Sequence, residues 1–157
     1  MSEQDRLNLL GNQRDALKAF EAEEHRLDKS GLSAGLRHLL KLRASQMNGC
    51  AFCVEMHTRE ARQDGETNAR LDHVVVWREA GCFSEEERAM FAWTEALTDL
   101  NEAQDLDELF GELARHFSQS EIAAMTTQIA MINVWNRLQV AAHGRRGTAG
   151  SRVSKAA

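Results

Sequence analysis

The chain has 157 residues, enough for one compact domain and too few for two ordinary ones. With 43% hydrophobic residues, 27% charged residues and a net charge of −5, it has the balance of a globular protein, which excludes a disordered chain, a collagen and a membrane bundle. No apolar run approaches the roughly 20 residues that span a bilayer, and an acidic chain is a poor match for nucleic acid.

The first ten residues, MSEQDRLNLL, lack the basic flank and apolar stretch of a secretory signal, so the expected location is cytoplasmic. Proline is absent, which favours uninterrupted helices. Leu7, Leu10, Leu17, Phe20 and Leu27 share one broad face of a helix predicted over 3–28, stopped by Lys29-Ser30-Gly31. Ser33 caps a second helix to about Met47, with Leu36, Leu39, Leu40, Leu42 and Ala44 as its core positions. Asn48-Gly49 breaks the chain. A third helix runs from Cys50 to about Gln63, and a short one covers 66–79, including the β-branched run Val74-Val75-Val76. Ser84 with Glu87 forms a capping box that opens a helix to about Leu100. Asp105 starts another to about His116. Ser118 with Glu121 is a second capping box, opening the last helix to about His143. The expectation is a single all-α domain of six to seven helices over 1–143. Residues 144–157 form a basic tail carrying Arg145, Arg146, Arg152 and Lys155, read as a solvated terminus.

The stretch Cys50-Ala51-Phe52-Cys53-Val54-Glu55-Met56-His57 carries the chemistry. At about 100° per residue, positions 50, 53 and 57 of a helix fall within roughly a 60° arc. Two thiols and an imidazole then share one face of the first two turns. Unpaired amides and the helix dipole favour thiolates there, and an adjacent imidazole can take a thiol proton. Haem attachment would need His directly after the second Cys, where this chain has Val54. A structural zinc site needs four ligands, and only Cys82 or His73 could complete the set. Two inert buried thiols are a third reading. A redox-active dithiol accounts for both thiols and the imidazole together.

The segment LLKLRASQMNGCAFCVEMHTREARQDGE resembles the alkyl hydroperoxidase D (AhpD) and carboxymuconolactone decarboxylase family. The resemblance continues through Trp77-Arg78-Glu79-Ala80, FSEEERAMFAWTEALT at 83–98 and MINVWNRLQVA at 131–141. It implies an AhpD-like helical fold assembled as a trimer or hexamer. It also implies a peroxidase or disulfide reductase of AhpD-like thiol chemistry, acting on a hydroperoxide substrate in antioxidant defence. On that resemblance Cys53 attacks the peroxide, Cys50 resolves it and His57 relays protons. Spacing alone leaves a rival order, in which Cys50 at the exposed helix start is the nucleophile. The resemblance implies no bound cofactor. The reductant would be an external dithiol, such as a lipoyl group on a partner protein.

The family's relay includes a Glu twelve residues before the first Cys, and this chain has His38 there. A neutral imidazole can still exchange protons, but it supplies no fixed negative charge. Elsewhere, Cys82 is expected as a packed small hydrophobe and Glu55 as a solvated residue. Arg59 and Glu60 are expected as surface or subunit contacts. Trp77, Trp93 and Trp135 are expected in the core or at a subunit interface. Asn133 and Arg137, four apart, should share a polar patch. His73 and His116 show no partner. Two other function classes compete with the peroxidase: a redox-sensing module without turnover, and a carboxymuconolactone decarboxylase, whose chemistry needs no dithiol.

Overall fold

The computed structural model describes residues 5–101 and 103–143. The expected basic tail at 144–157 lies outside the described residues. Eight α-helices are present among them, with one 3-10 turn. No strand is present among the described residues, only an isolated bridge between Asp5 and His143.

The long helix expected at the start is divided. Asn8 caps α1 (Leu9–Asn12) by accepting a hydrogen bond from the Gly11 amide at 2.8 Å, and Gln13 then leaves helical geometry before α2 (Arg14–Leu27). Short polar side chains offer the backbone such local alternatives to a continuing helix. The expected leucine face is divided with it. Leu27 is buried, whereas Leu7 and Leu10 are 45% and 61% exposed.

The next two helices meet the sequence expectation closely. Ser33 Oγ accepts from the Leu36 amide at the start of α3 (Ala34–Met47), and Cys50 is the cap of α4 (Ala51–Gln63). The turn between them needs Gly49 at φ +64°, a left-handed conformation that only glycine adopts cheaply. The window at 66–79 holds α5 (Asn68–His73), capped by Thr67, and the 3-10 turn Val74–Val76. Tighter winding eclipses positions three apart, so Val74 and Trp77 are buried while Val75 and Val76 face outward. Both capping boxes form as expected, at Ser84–Glu87 for α6 (Glu85–Thr98) and Ser118–Glu121 for α8 (Gln119–Ala142). Asp105 caps α7 (Leu106–Leu113).

Helix α3 lies at the centre and packs against α4, α6 and α8. Its Leu39, Leu40 and Leu42 are at most 1% exposed. Each buried leucine contributes about 1.5–3 kcal/mol. Phe91 of α6 stacks on Trp77 at 5.4 Å and meets Phe83 edge-on at 5.0 Å. One carboxylate is enclosed in this core. Glu95 receives hydrogen bonds from Trp77 Nε1 at 2.7 Å and Arg43 Nε at 2.7 Å, and pairs with Arg78 Nη2 at 2.6 Å. Burial opposes its charge, but the Arg78 and Trp77 hydrogen bonds and the Arg43 charge prevail and hold its pKa below the ordinary value.

One sequence expectation is corrected here. Cys82 is an exposed free cysteine, because it precedes the cap of α6 and its neighbour Phe83 takes the buried position. Trp77 and Trp93 are core residues, whereas Trp135 is only partly buried and lines a cavity.

Candidate active site

A cavity of about 710 Å³ opens between α2, α3, α4 and α8. Cys53, His57 and His38 all line it. Phe52, Met56, Ile132 and Trp135 give it an apolar flank. Its volume lies in the range of small-molecule pockets, far above what hydrogen peroxide alone needs.

Cys50 and Cys53 are disulfide-bonded, with Cα atoms 5.3 Å apart. Cys50 Sγ also accepts from the Cys53 amide at 3.3 Å, so the sulfur caps the helix that carries its partner. Only Cys53 lines the cavity. Cys50 was expected at an exposed helix end, yet it is 2% exposed. The corner between α3 and α4 folds back over it, with its amide bonded to the Ser45 carbonyl at 3.1 Å.

That corner is clamped from α8. Asn48 Nδ2 donates to Asn133 Oδ1 at 3.0 Å and to Asn136 Oδ1 at 2.9 Å. Asn136 Nδ2 donates in turn to Ser45 Oγ at 3.0 Å. Arg137 Nη1 donates to Asn133 Oδ1 at 2.8 Å, forming the polar patch expected from their spacing. In the sequence, Asn48 reads only as part of the Asn48-Gly49 helix break. The remote partners that make it a clamp lie some 85 residues away.

His57 is 4% exposed and faces the carboxylate of Glu60, with Nδ1 2.9 Å from Oε2. The His57 hydrogen bond is the main reason that Glu60 is held below the ordinary carboxyl range, and the nearby charges of Lys41 and His38 act in the same direction. An ionised carboxylate only accepts, so His57 Nδ1 carries a proton and Nε2 presents its lone pair when the ring is neutral. Nε2 is buried and has no hydrogen-bond partner. Glu60 is half-exposed and also lines the cavity. The spacing His57-x-x-Glu60 was the available signal, since residues three apart meet on one helix face.

His38 repeats the arrangement from α3. Its Nε2 lies 2.7 Å from Oδ2 of Asp64, the cap that ends α4, and its Nδ1 is buried and unpartnered. The site thus contains two close imidazole–carboxylate pairs, and a looser third, His25 with Asp28 at 3.9 Å, lies on the same cavity. Glu60 sets a carboxylate beside His57 on the cysteine-bearing helix itself.

The other expected residues fall away from the cavity. His73 and Cys82 are exposed outside it, and His116 lies 3.6 Å from Glu112 on α7. No group of three or more His, Cys, Asp or Glu among the described residues is arranged to hold a metal ion. No described helix is long and apolar enough to cross a membrane.

A model of the carboxymuconolactone decarboxylase family matches residues 14–96. The uncharacterised protein YdfG of Bacillus subtilis (strain 168) is 34% identical over 131 residues, spanning 83% of this chain and 89% of YdfG. Among solved structures, ATU0492 of Agrobacterium tumefaciens is a protein of unknown function proposed to be the antioxidant-defence protein AhpD. It is 42% identical and superposes with a TM-score of 0.83 over 87% of this chain and 94% of its own. A peroxidase-related protein of Ralstonia eutropha JMP134, described as an alkylhydroperoxidase AhpD core, superposes with a TM-score of 0.75 at 23% identity, over 85% of this chain and 71% of its own. That last likeness speaks for the fold alone. With the family model spanning more than half its length, the chain belongs to the carboxymuconolactone decarboxylase family and has the AhpD-like all-helical fold.

Proposed function

We propose that the chain is an AhpD-like thiol peroxidase and disulfide reductase working through Cys53, Cys50, His57 and His38. One observation carries this reading. Cys53 lines a cavity of organic-ligand size, its disulfide partner sits buried behind it, and His57, whose buried Nε2 has no hydrogen-bond partner, lines the same cavity.

In the reduced protein, His57 Nε2 takes the proton of the Cys53 thiol. The thiolate attacks the terminal oxygen of a hydroperoxide. The O–O bond breaks, the sulfur keeps one oxygen, and the leaving alkoxide takes the proton back from His57. Cys53 loses two electrons and becomes a sulfenic acid, and the peroxide gains them and leaves as an alcohol. The Cys50 sulfur then attacks the Cys53 sulfur. A disulfide forms, and the hydroxyl leaves with the Cys50 proton as water. An external dithiol, such as a dihydrolipoyl group on a partner protein, restores both thiols by exchange and closes to its own disulfide. Glu60 holds the His57 tautomer, and the His38–Asp64 pair offers a second proton-exchanging nitrogen on the opposite helix.

The proposal includes a cytoplasmic homo-oligomer, a trimer or hexamer. Exposed Leu100, Leu106 and Phe110 are apolar surface that such an assembly would cover.

The test is to mix the reduced protein with an equimolar alkyl hydroperoxide and count thiols by mass, then add a dithiol and follow peroxide loss. Disulfide formation with repeated turnover is expected. Oxidation in a single round, with no turnover under any dithiol, would instead identify a redox-sensing module. A dithiol untouched by peroxide would remove the reading.

A further inference from the structure

We infer that the cavity admits neutral or cationic substrates and turns away those bearing a carboxylate. This rests on the reading of Cys53 as the reacting atom. Among the described residues, the walls carry two permanent cations, Arg37 and Lys41, and three imidazoles, His25, His38 and His57, against five carboxylates: Glu21, Glu24, Asp28, Glu60 and Asp64.

Both cations are already committed. Lys41 Nζ donates to Glu24 Oε2 at 2.7 Å, and Gln128 Nε2 donates to the same oxygen at 3.0 Å. Arg37 gives Nη1 to the main-chain oxygens of Leu32 at 2.6 Å and Asp28 at 3.3 Å, while its Nη2 lies 3.4 Å from Asp28 Oδ1. Among the described residues, three acids form no direct ion pair with a Lys or Arg. Glu21 forms no ion pair with any described residue, and Glu60 and Asp64 face imidazoles, with Lys41 acting on Glu60 only from a distance. An incoming carboxylate would therefore meet a net like charge and find no uncommitted Lys or Arg among the described residues to bind it. A partly enclosed cavity weakens such repulsion less than open solvent does. The apolar flank of Phe52, Met56, Ile132 and Trp135 gives the body of a neutral organic molecule a favourable surface. Lactone carboxylates, the substrates that the family name denotes, fall on the excluded side.

Two alkylating reagents of equal size test this directly. Reduced protein is treated with iodoacetamide, which is neutral, or iodoacetate, which is anionic, and modification of Cys53 is followed by peptide mass. The ratio of the two rates is compared with that of the unfolded chain. Folding is expected to shift the ratio against iodoacetate by about tenfold at low salt, and the shift should shrink as salt is raised. The double variant Glu21→Gln/Asp28→Asn removes an unpaired charge and frees Arg37, so it should move the ratio back toward the unfolded value. A ratio unchanged by folding, or indifferent to both salt and the double substitution, overturns the inference. So does a Cys53 that reacts with neither reagent. A carboxylate-bearing hydroperoxide and its methyl ester separate this inference from the peroxidase reading. If both are reduced at equal rates, the charge filter fails and the peroxidase stands. If neither is reduced while the alkylation ratio shifts, the peroxidase fails and the filter stands.

Discussion

Glu60 Oε2 lies 2.9 Å from Nδ1 of His57, three residues earlier on α4, and that contact gives the buried imidazole a fixed negative partner. The carboxylate and the imidazole share the helix that begins at the disulfide. Their geometry is thus set by one rigid element rather than by the packing of two.

The Glu60 contact predicts a specific loss. Glu60→Gln keeps the shape and removes the charge, so the peroxide-reducing rate should fall about tenfold to a hundredfold. The rate of thiol oxidation by an alkyl hydroperoxide, measured across pH, checks it. A merely structural role for Glu60 would lower stability and leave the shape of the pH profile unchanged.

Acid stability follows from the same carboxyl. Its folded pKa lies below the ordinary 4.5, so the folded chain binds this proton less readily than the unfolded chain. The contribution is complete above the unfolded value and is lost as pH falls through the folded value. Thermal midpoints measured from about pH 6 down to pH 3 should fall less steeply in Glu60→Gln than in the wild type.

The two sulfurs should fail differently. Cys53→Ser removes the cavity-lining thiol and should lower peroxide consumption at least about a hundredfold. Cys50→Ser should still consume one equivalent of peroxide and then stop, leaving a Cys53 sulfenic acid for want of a resolving thiol. Mass spectrometry after dimedone trapping distinguishes the two. Trapping on Cys50 in Cys53→Ser, with full turnover retained, would reverse the assignment.

His38 is expected to contribute less than His57, since it approaches from the neighbouring helix. His38→Phe should lower the rate about tenfold or less, and Asp64→Asn should lower it by a smaller factor. Steady-state peroxide reduction measures both. No change in either rate would reduce His38 to a polar residue of the cavity wall.

The Asn48 clamp makes a prediction about stability. Asn136 is fully buried and bonds both Asn48 and Ser45. Asn136→Ala strands those partners and should cost about 2–3 kcal/mol in chemical denaturation. The disulfide should also become easier to reduce, because the corner that presents Cys50 loosens. A redox titration against a dithiol buffer reads this second effect.

Local patterns in the sequence determined most of the fold and part of the site. Capping boxes at Ser84 and Ser118, the leucine face of α3 and the glycine turn before Cys50 are consequences of neighbouring residues, and all appear as expected. That Cys53 and His57 line one cavity follows from their four-residue spacing on α4 in the same way. The tertiary structure decided what depends on remote partners. It buried Cys50 under the α3–α4 corner, exposed Cys82, and joined Asn48 to two residues of α8. It also set His38 against Asp64 and drew Arg37 and Lys41 into pairs that close them to an anion. Spacing along one helix fixes which side chains share a face. Whether such a face meets a cavity, a charge or water is fixed only when the other helices pack against it.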